Sequence, residues 1–108
     1  MVKQIGVREL AARMSAGDAL FLLDVRQPWE HETAALPGSV LVPLDELTAR
    51  EDELEVPAGA TVVAYCHHGV RSLSAAVLLE RMGHADVVSL RGGIDAWSIH
   101  VDPAIVRY

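Results

Sequence analysis

The chain has 108 residues and a net charge of −6, and 51% of its residues are hydrophobic, so it predicts one folded domain over residues 1–108 with a substantial apolar core. Its acidic balance argues against nucleic acid or an anionic membrane surface as a partner. We expect neither a signal peptide nor a membrane span, because residues 1–4 are not an apolar signal region and no apolar stretch approaches about 20 residues. Because its one cysteine excludes an internal disulfide, we expect a protein of the reducing cytoplasm.

In the first half of the chain, predicted strands alternate with predicted helices. The strands lie at residues 4–7, 19–25 and 39–42, and the helices at 8–16 and 29–34. Gly17 ends the first helix, and Pro28 suits the first turn of the second. The middle strand is almost continuously apolar, which is typical of a strand covered on both faces.

The second half continues the alternation. Helices are predicted at residues 46–53, 72–82 and 94–99, and strands at 61–65 and 87–90. Asp45 can cap the first of these helices. Strands separated by helices imply parallel connections, so the pattern predicts an α/β fold with helices on both faces of the sheet.

The most informative segment is the loop that begins at Cys66 and ends at Ser72. It follows a β-branched strand and opens a helix, so the thiol lies where loop N–H groups and a helix N-terminus converge. That environment favours an anion, including the thiolate form of the side chain. Gly69 permits a backbone conformation closed to other residues, and Arg71 brings a permanent cation. We therefore interpret Cys66 as a candidate nucleophile, although a lone cysteine is often a small buried hydrophobe.

Polar residues follow three of the predicted strands. Asp24 and Arg26 follow one, Cys66 another and residues 91–93 the last. Open α/β sheets bind ligands beyond the carboxyl ends of their strands, so we expect these groups to meet at one edge. There the loop amides, Arg71 and Arg26 would make a locally positive pocket for a small anion, even in an acidic protein.

Four segments, taken together and in order, resemble the rhodanese family of cysteine-dependent sulfurtransferases. They are residues 22–30, 36–39, 66–72 and 90–97. The tail at 101–108 is also similar to the ends of some bacterial rhodanese domains, including domains fused behind enzymes that activate sulfur carriers. The resemblance implies a three-layer fold with a central, mostly parallel five-stranded sheet and helices on both faces.

The resemblance also implies a reaction in which Cys66 becomes a persulfide. The donor is thiosulfate or a persulfide-bearing protein, the acceptor is cyanide or another thiol, and neither a metal nor an organic cofactor is required. The implied active-site loop consists of His67, His68, Gly69, Val70, Arg71 and Ser72, and the implied supporting residues are Asp24 and Arg26. Asp24 has a simpler alternative role as a turn or cap carboxylate.

The roles of individual loop side chains stay open at this point. Arg71 either assists electrostatically or binds loop carbonyls. His67 and His68 either influence donor choice and proton transfer or are exposed loop residues. His67 stands where members that use thiosulfate often have a basic residue, and histidine is only partly charged at neutral pH, which leaves the donor undecided. Ala35 replaces a frequent histidine at a position that we interpret as structural.

Three alternatives accompany this hypothesis. A cysteine phosphatase uses the same strand, loop and helix, but it has one residue more between cysteine and arginine than the four that separate Cys66 from Arg71. A rhodanese-like module could instead bind partners or relay sulfur, although non-catalytic modules usually lack the cysteine. A metal site at Cys66, His67 and His68 is disfavoured because adjacent residues cannot easily complete a tetrahedral shell. The sequence indicates no oligomeric state.

Overall fold

A computed structural model describes residues 2–108 as a five-stranded sheet with helices on both faces. The strands are β1 (Lys3–Ile5), β2 (Leu20–Asp24), β3 (Val40–Leu41), β4 (Thr61–Tyr65) and β5 (Val87–Leu90). The helices are α1 (Val7–Ser15), α2 (Pro28–Thr33), α3 (Leu47–Arg50), α4 (Val70–Arg81) and α5 (Gly93–His100). The strand order is β1-β5-β4-β2-β3, and every pair of neighbours is parallel.

Strand β4 lies at the centre of the sheet, and all five of its residues are buried. Successive side chains point to opposite faces of a strand, so β4 contributes to both halves of the core. On one face the core contains Leu10 of α1, Val63, Tyr65, and Ile94 and Trp97 of α5. On the other it contains Leu47 of α3, Val62, Ala64, Cys66, and Ala76 and Leu79 of α4. The predicted three-layer α/β fold is confirmed.

The predicted helix at 46–53 is wrong as one element. The segment consists of a 3-10 turn at Leu44–Glu46, the single turn of α3, and a second 3-10 turn at Glu51–Glu53. Asp45 lies inside the first 3-10 turn and does not cap a helix. Only Leu47 is anchored in the core, and carboxylates at the C-terminal end of a helix oppose its dipole.

At two glycines, the observed end of an element differs from the predicted one. Gly6 is the N-cap of α1, so Val7 begins that helix and does not belong to β1. Gly69 takes a left-handed conformation and starts α4 at Val70, two residues before the predicted start. The remaining boundaries differ by one residue or coincide. Within residues 2–108, none of the helices combines the length and apolar character needed to span a bilayer.

Candidate functional site

The Cys66 sulfur lies at the carboxyl end of β4, where main-chain donors point at it. The N–H of Gly69 donates to Sγ at 3.1 Å, and the N–H of Ser72, in the first turn of α4, donates at 3.4 Å. The Ser72 hydroxyl lies 3.6 Å from Sγ and is hydrogen-bonded to the Ser89 hydroxyl at 2.7 Å. These dipoles favour negative charge on the sulfur. Cys66 itself is 1% exposed.

The tight course of this loop depends on glycines from two segments. Gly69 has φ +102°, and a side chain there would bring its Cβ to 3.1 Å from the Gly92 nitrogen. Gly93 lies so close to the loop that a Cβ would collide with the carbonyl oxygens of Cys66 and His67. The segment after β5 therefore packs directly against the loop after β4, as expected from the carboxyl ends of neighbouring parallel strands.

The N-terminus of α5 fixes the orientation of the loop's peptide groups. The N–H of Ile94 donates to the Cys66 carbonyl at 2.9 Å, and the N–H of Asp95 donates to the His67 carbonyl at 3.1 Å. These two bonds hold the first two carbonyls of the loop against α5, while the N–H of Gly69, further along the loop, donates to the sulfur. The loop is thus preorganised by hydrogen bonds as well as by glycine.

Within residues 2–108 the Arg71 side chain makes no hydrogen bond to a loop carbonyl, and its electrostatic role at the sulfur stays a prediction. Its guanidinium makes a two-point ion pair with Glu30 of α2, with Nη1–Oε1 and Nη2–Oε2 distances of 2.7 and 2.9 Å. The N–H of Gln27 donates to the same carboxylate at 3.0 Å. The hydrogen bonds from Arg71 lower the pKa of Glu30 to about 2, although burial acts in the opposite direction. Arg71 therefore lies beside the loop in an ion pair with Glu30 and is not a free cation.

Asp24 and Arg26 form a second ion pair that is fully buried. The Asp24 carboxylate accepts hydrogen bonds from Arg26 Nε at 2.8 Å and Nη2 at 2.7 Å, and from the Arg26 N–H at 3.0 Å, which is the turn geometry considered above for Asp24. Burial alone would lower the pKa of Arg26, but the hydrogen bonds to Asp24 raise it above the ordinary value. This differs from the expectation that Arg26 adds positive charge to the pocket, because Asp24 neutralises it.

Tyr108 connects these two ion pairs. Its hydroxyl accepts a hydrogen bond from Arg26 Nη1 at 2.7 Å and donates one to Glu30 Oε2 at 2.6 Å. Its ring stacks on the His67 ring, with centroids 4.0 Å apart and an interplanar angle of 10°. Burial and the bond to Glu30 raise the pKa of Tyr108 to about 12, so the hydroxyl keeps its proton at neutral pH.

The two histidines of the loop lie in different surroundings. His67 is held between the rings of Tyr108 and His68, and its Nε2 is buried with no hydrogen-bond partner among residues 2–108. Burial and repulsion by His68 lower the pKa of His67 and so favour the neutral form of its ring. His68 is exposed, with Nδ1 3.9 Å from an Asp95 oxygen. Val70, at the far end of the loop, is 74% exposed.

The sequence did not reveal roles for three residues of this site. Ser89, which is hydrogen-bonded to the Ser72 hydroxyl, could have been noticed in the sequence because it is the polar residue of an otherwise apolar strand. Glu30 could also have been noticed, since it stands three residues after Gln27 and forms a capping box with it at the start of α2. Tyr108 lies in the tail that resembles the ends of rhodanese domains, but its contacts were not predictable because its partners are 41 to 82 residues away.

A family model described as "Rhodanese-like domain" matches residues 6–100. A sulfurtransferase of Allochromatium vinosum is 33% identical over 105 residues, which cover 97% of this chain and 96% of that protein. The probable adenylyltransferase/sulfurtransferase MoeZ of Mycobacterium tuberculosis is 37% identical over 101 residues. That match covers 94% of this chain and 26% of MoeZ, so the chain spans about a quarter of that longer relative.

Among solved structures, a rhodanese-related protein from Thermoplasma volcanium superposes with a TM-score of 0.82. Its sequence is 28% identical, and the match covers 98% of this chain and 99% of that one. The layered sheet and its connections are therefore shared over the whole described chain.

Proposed function

The chain belongs to the rhodanese-like domain family, and on that premise we propose that it is a sulfurtransferase whose Cys66 carries the sulfur as a persulfide. The observation that carries this proposal is the pair of N–H groups of Gly69 and Ser72 directed at Sγ at 3.1 and 3.4 Å. Preorganised donors of this kind stabilise the thiolate before the reaction and the anionic persulfide after it. Such chemistry requires a reduced thiol, and we propose a cytoplasmic location for that reason.

The reaction has two halves, and each is a displacement at sulfur. With a persulfide donor, the Cys66 thiolate attacks the outer sulfur, the donor's S–S bond breaks, and the donor leaves as a thiolate. With thiosulfate, the same attack on the sulfane sulfur releases sulfite. An acceptor thiolate or cyanide then attacks the terminal sulfur of the Cys66 persulfide, its S–S bond breaks, and the Cys66 thiolate is restored.

The charges around the loop favour a persulfide over thiosulfate as the donor. Thiosulfate is a dianion with a bulky sulfonate head that calls for free cationic partners. Arg71 and Arg26 are each paired with a carboxylate, and the lowered pKa of His67 disfavours its charged form. The main-chain N–H groups directed at Sγ add positive potential that suits a single anionic sulfur atom.

The phosphatase alternative is less well supported. Its loop would need an arginine that is available to bind a phosphate group, whereas Arg71 is occupied by both oxygens of Glu30. A module that only binds partners would have no use for donors directed at a thiol. We therefore retain a sulfur relay between proteins as a form of the same chemistry. Phosphatase activity is the result that would contradict the proposal in the experiment below.

A comparison of donors tests this proposal. The rate of sulfur transfer should be measured with thiosulfate, mercaptopyruvate and a cysteine desulfurase persulfide, each with cyanide and a small thiol as acceptors. We expect the highest kcat/KM with the persulfide and no transfer with Cys66→Ser. Absence of transfer from every donor, together with Cys66-dependent hydrolysis of para-nitrophenyl phosphate, would contradict the proposal and support the phosphatase.

A further inference from the structure

We propose that Tyr108 is a positioning residue that clamps both ends of the Cys66 loop and limits access to the sulfur. The proposal rests on the assignment of Cys66 as the sulfur carrier, and it adds a residue 42 positions away in the chain that controls this carrier. Two independent contacts of one side chain support it, one through the ring and one through the hydroxyl.

The ring holds the first end of the loop. It lies flat on His67, the residue that follows Cys66, with a centroid distance of 4.0 Å. Trp29 makes an edge contact with the same ring, with centroids 5.6 Å apart, and remains 59% exposed. Cys66 is 1% exposed, so a reagent reaches Sγ only when the loop or its cover moves.

The hydroxyl holds the second end of the loop. It donates at 2.6 Å to the Glu30 oxygen that also binds Arg71 Nη2 at 2.9 Å. The same hydroxyl accepts a hydrogen bond from Arg26 Nη1 at 2.7 Å, which fixes its position. Loss of the hydroxyl would leave Glu30 held by fewer donors, and Arg71 would lose part of its restraint at the start of α4.

The segment that carries Tyr108 is attached to the helix that organises the loop. Ser98 of α5 donates its hydroxyl to the Ile105 carbonyl at 2.6 Å, and Arg107 Nε donates to Asp95 at 2.9 Å. Asp95 is also the residue whose N–H binds the His67 carbonyl. Movement of this segment would therefore displace the loop through its contacts with α5 as well as through Tyr108.

The rate at which iodoacetamide alkylates Cys66 tests the ring's role without requiring sulfur transfer. We expect Tyr108→Ala to react about tenfold faster than wild type, because the loop opens more often. Tyr108→Phe, which keeps the ring, should react within about twofold of wild type. Val106→Ala, at an exposed position of the same segment, is the matched control and should react like wild type. Equal rates for wild type and Tyr108→Ala would overturn the proposal.

The rate of sulfur loading from a persulfide donor tests the hydroxyl's role. We expect Tyr108→Phe to lower kcat about fivefold with little change in KM, because the mutated group positions Arg71 and does not touch the donor. A kcat equal to that of wild type would overturn this role, and this variant decides the matter if Tyr108→Ala does not fold. A wild-type protein that takes up no sulfur defeats the proposed function, while the alkylation rates still decide the clamp.

Discussion

The two ends of the sheet offer a ligand very different surroundings. At the amino end a cavity of about 430 Å3 lies beside the starts of β4 and β5, with Val56, Ala60, His84 and Asp86 among its lining residues. Its two polar side chains are already bound by residues outside the lining: Asp86 accepts a hydrogen bond from Thr61 at 2.6 Å, and His84 Nε2 lies 3.0 Å from Glu51. At the carboxyl end the Cys66 thiol is buried, and main-chain donors point at it. The direction of the main-chain dipoles, and not the size of the cavity, therefore marks the candidate site.

The largest effect that separates the two ends should come from a matched pair of glycine substitutions. Gly69 has φ +102° and Gly83 has φ +101°, but a Cβ at Gly69 would crowd the Gly92 nitrogen while one at Gly83 meets nothing within 4 Å. Alanine at either position strains the backbone by about 1–2 kcal/mol. Only Gly69→Ala should also displace the N–H that points at Sγ, and we expect its sulfur-loading rate to fall about 100-fold.

The measurement is the loading rate of each variant beside its free energy of unfolding. Gly83→Ala should load sulfur at the wild-type rate although it is destabilised. Similar losses of loading in both variants would mean that general destabilisation, rather than the loop's donors, explains the effect.

A smaller effect should distinguish two carboxylates at the two ends. Glu30 binds Arg71 beside the loop, whereas Glu51 binds His84 Nε2 at 3.0 Å near the amino-end cavity. Glu30→Gln leaves Arg71 without its ionic partner, and we expect kcat for sulfur transfer to fall about fivefold. Steady-state kinetics of Glu51→Gln provide the control, for which we expect no change. A fully active Glu30→Gln would show that Arg71 does not depend on this pair.

The smallest effect concerns acid stability. The pKa of Glu30 is lowered from 4.5 to about 2, so this carboxylate stabilises the folded state above pH 4.5 and loses that contribution as the pH falls toward 2. The difference in free energy of unfolding between wild type and Glu30→Gln should therefore be largest near neutral pH and shrink below about pH 4.5. Urea unfolding at several pH values measures it. A difference that stays constant down to about pH 2 would contradict the assigned pKa.

Local patterns predicted the parts of the molecule that are built from local interactions. Strands β4 and β5 occur at their predicted residues, and the loop between Cys66 and Ser72 joins a strand to a helix as expected. The resemblance drawn from four motifs is confirmed by the family model over residues 6–100. β-branched runs, a glycine and a change of periodicity are signals that a sequence displays directly.

The rest depends on partners that are distant in the chain. Arg71 and Glu30 are 41 positions apart, and Arg26 and Tyr108 are 82 apart. An exposed arginine and a paired one look identical in a sequence, so the sequence does not show that Arg26 and Arg71 each have a carboxylate partner. The continuous helix predicted at residues 46–53 does not form for a related reason. Helix propensity is weak without burial of one face in the core, and in α3 only Leu47 is buried.

Mass spectrometry of the protein after incubation with a persulfide donor tests the central claim most directly. We expect wild type to gain the mass of one sulfur atom, to carry it on the peptide that contains Cys66, and to lose it on treatment with cyanide. Cys66→Ser should gain none. Equal uptake by both proteins, or added sulfur on any other residue, would contradict the assignment of Cys66 as the carrier.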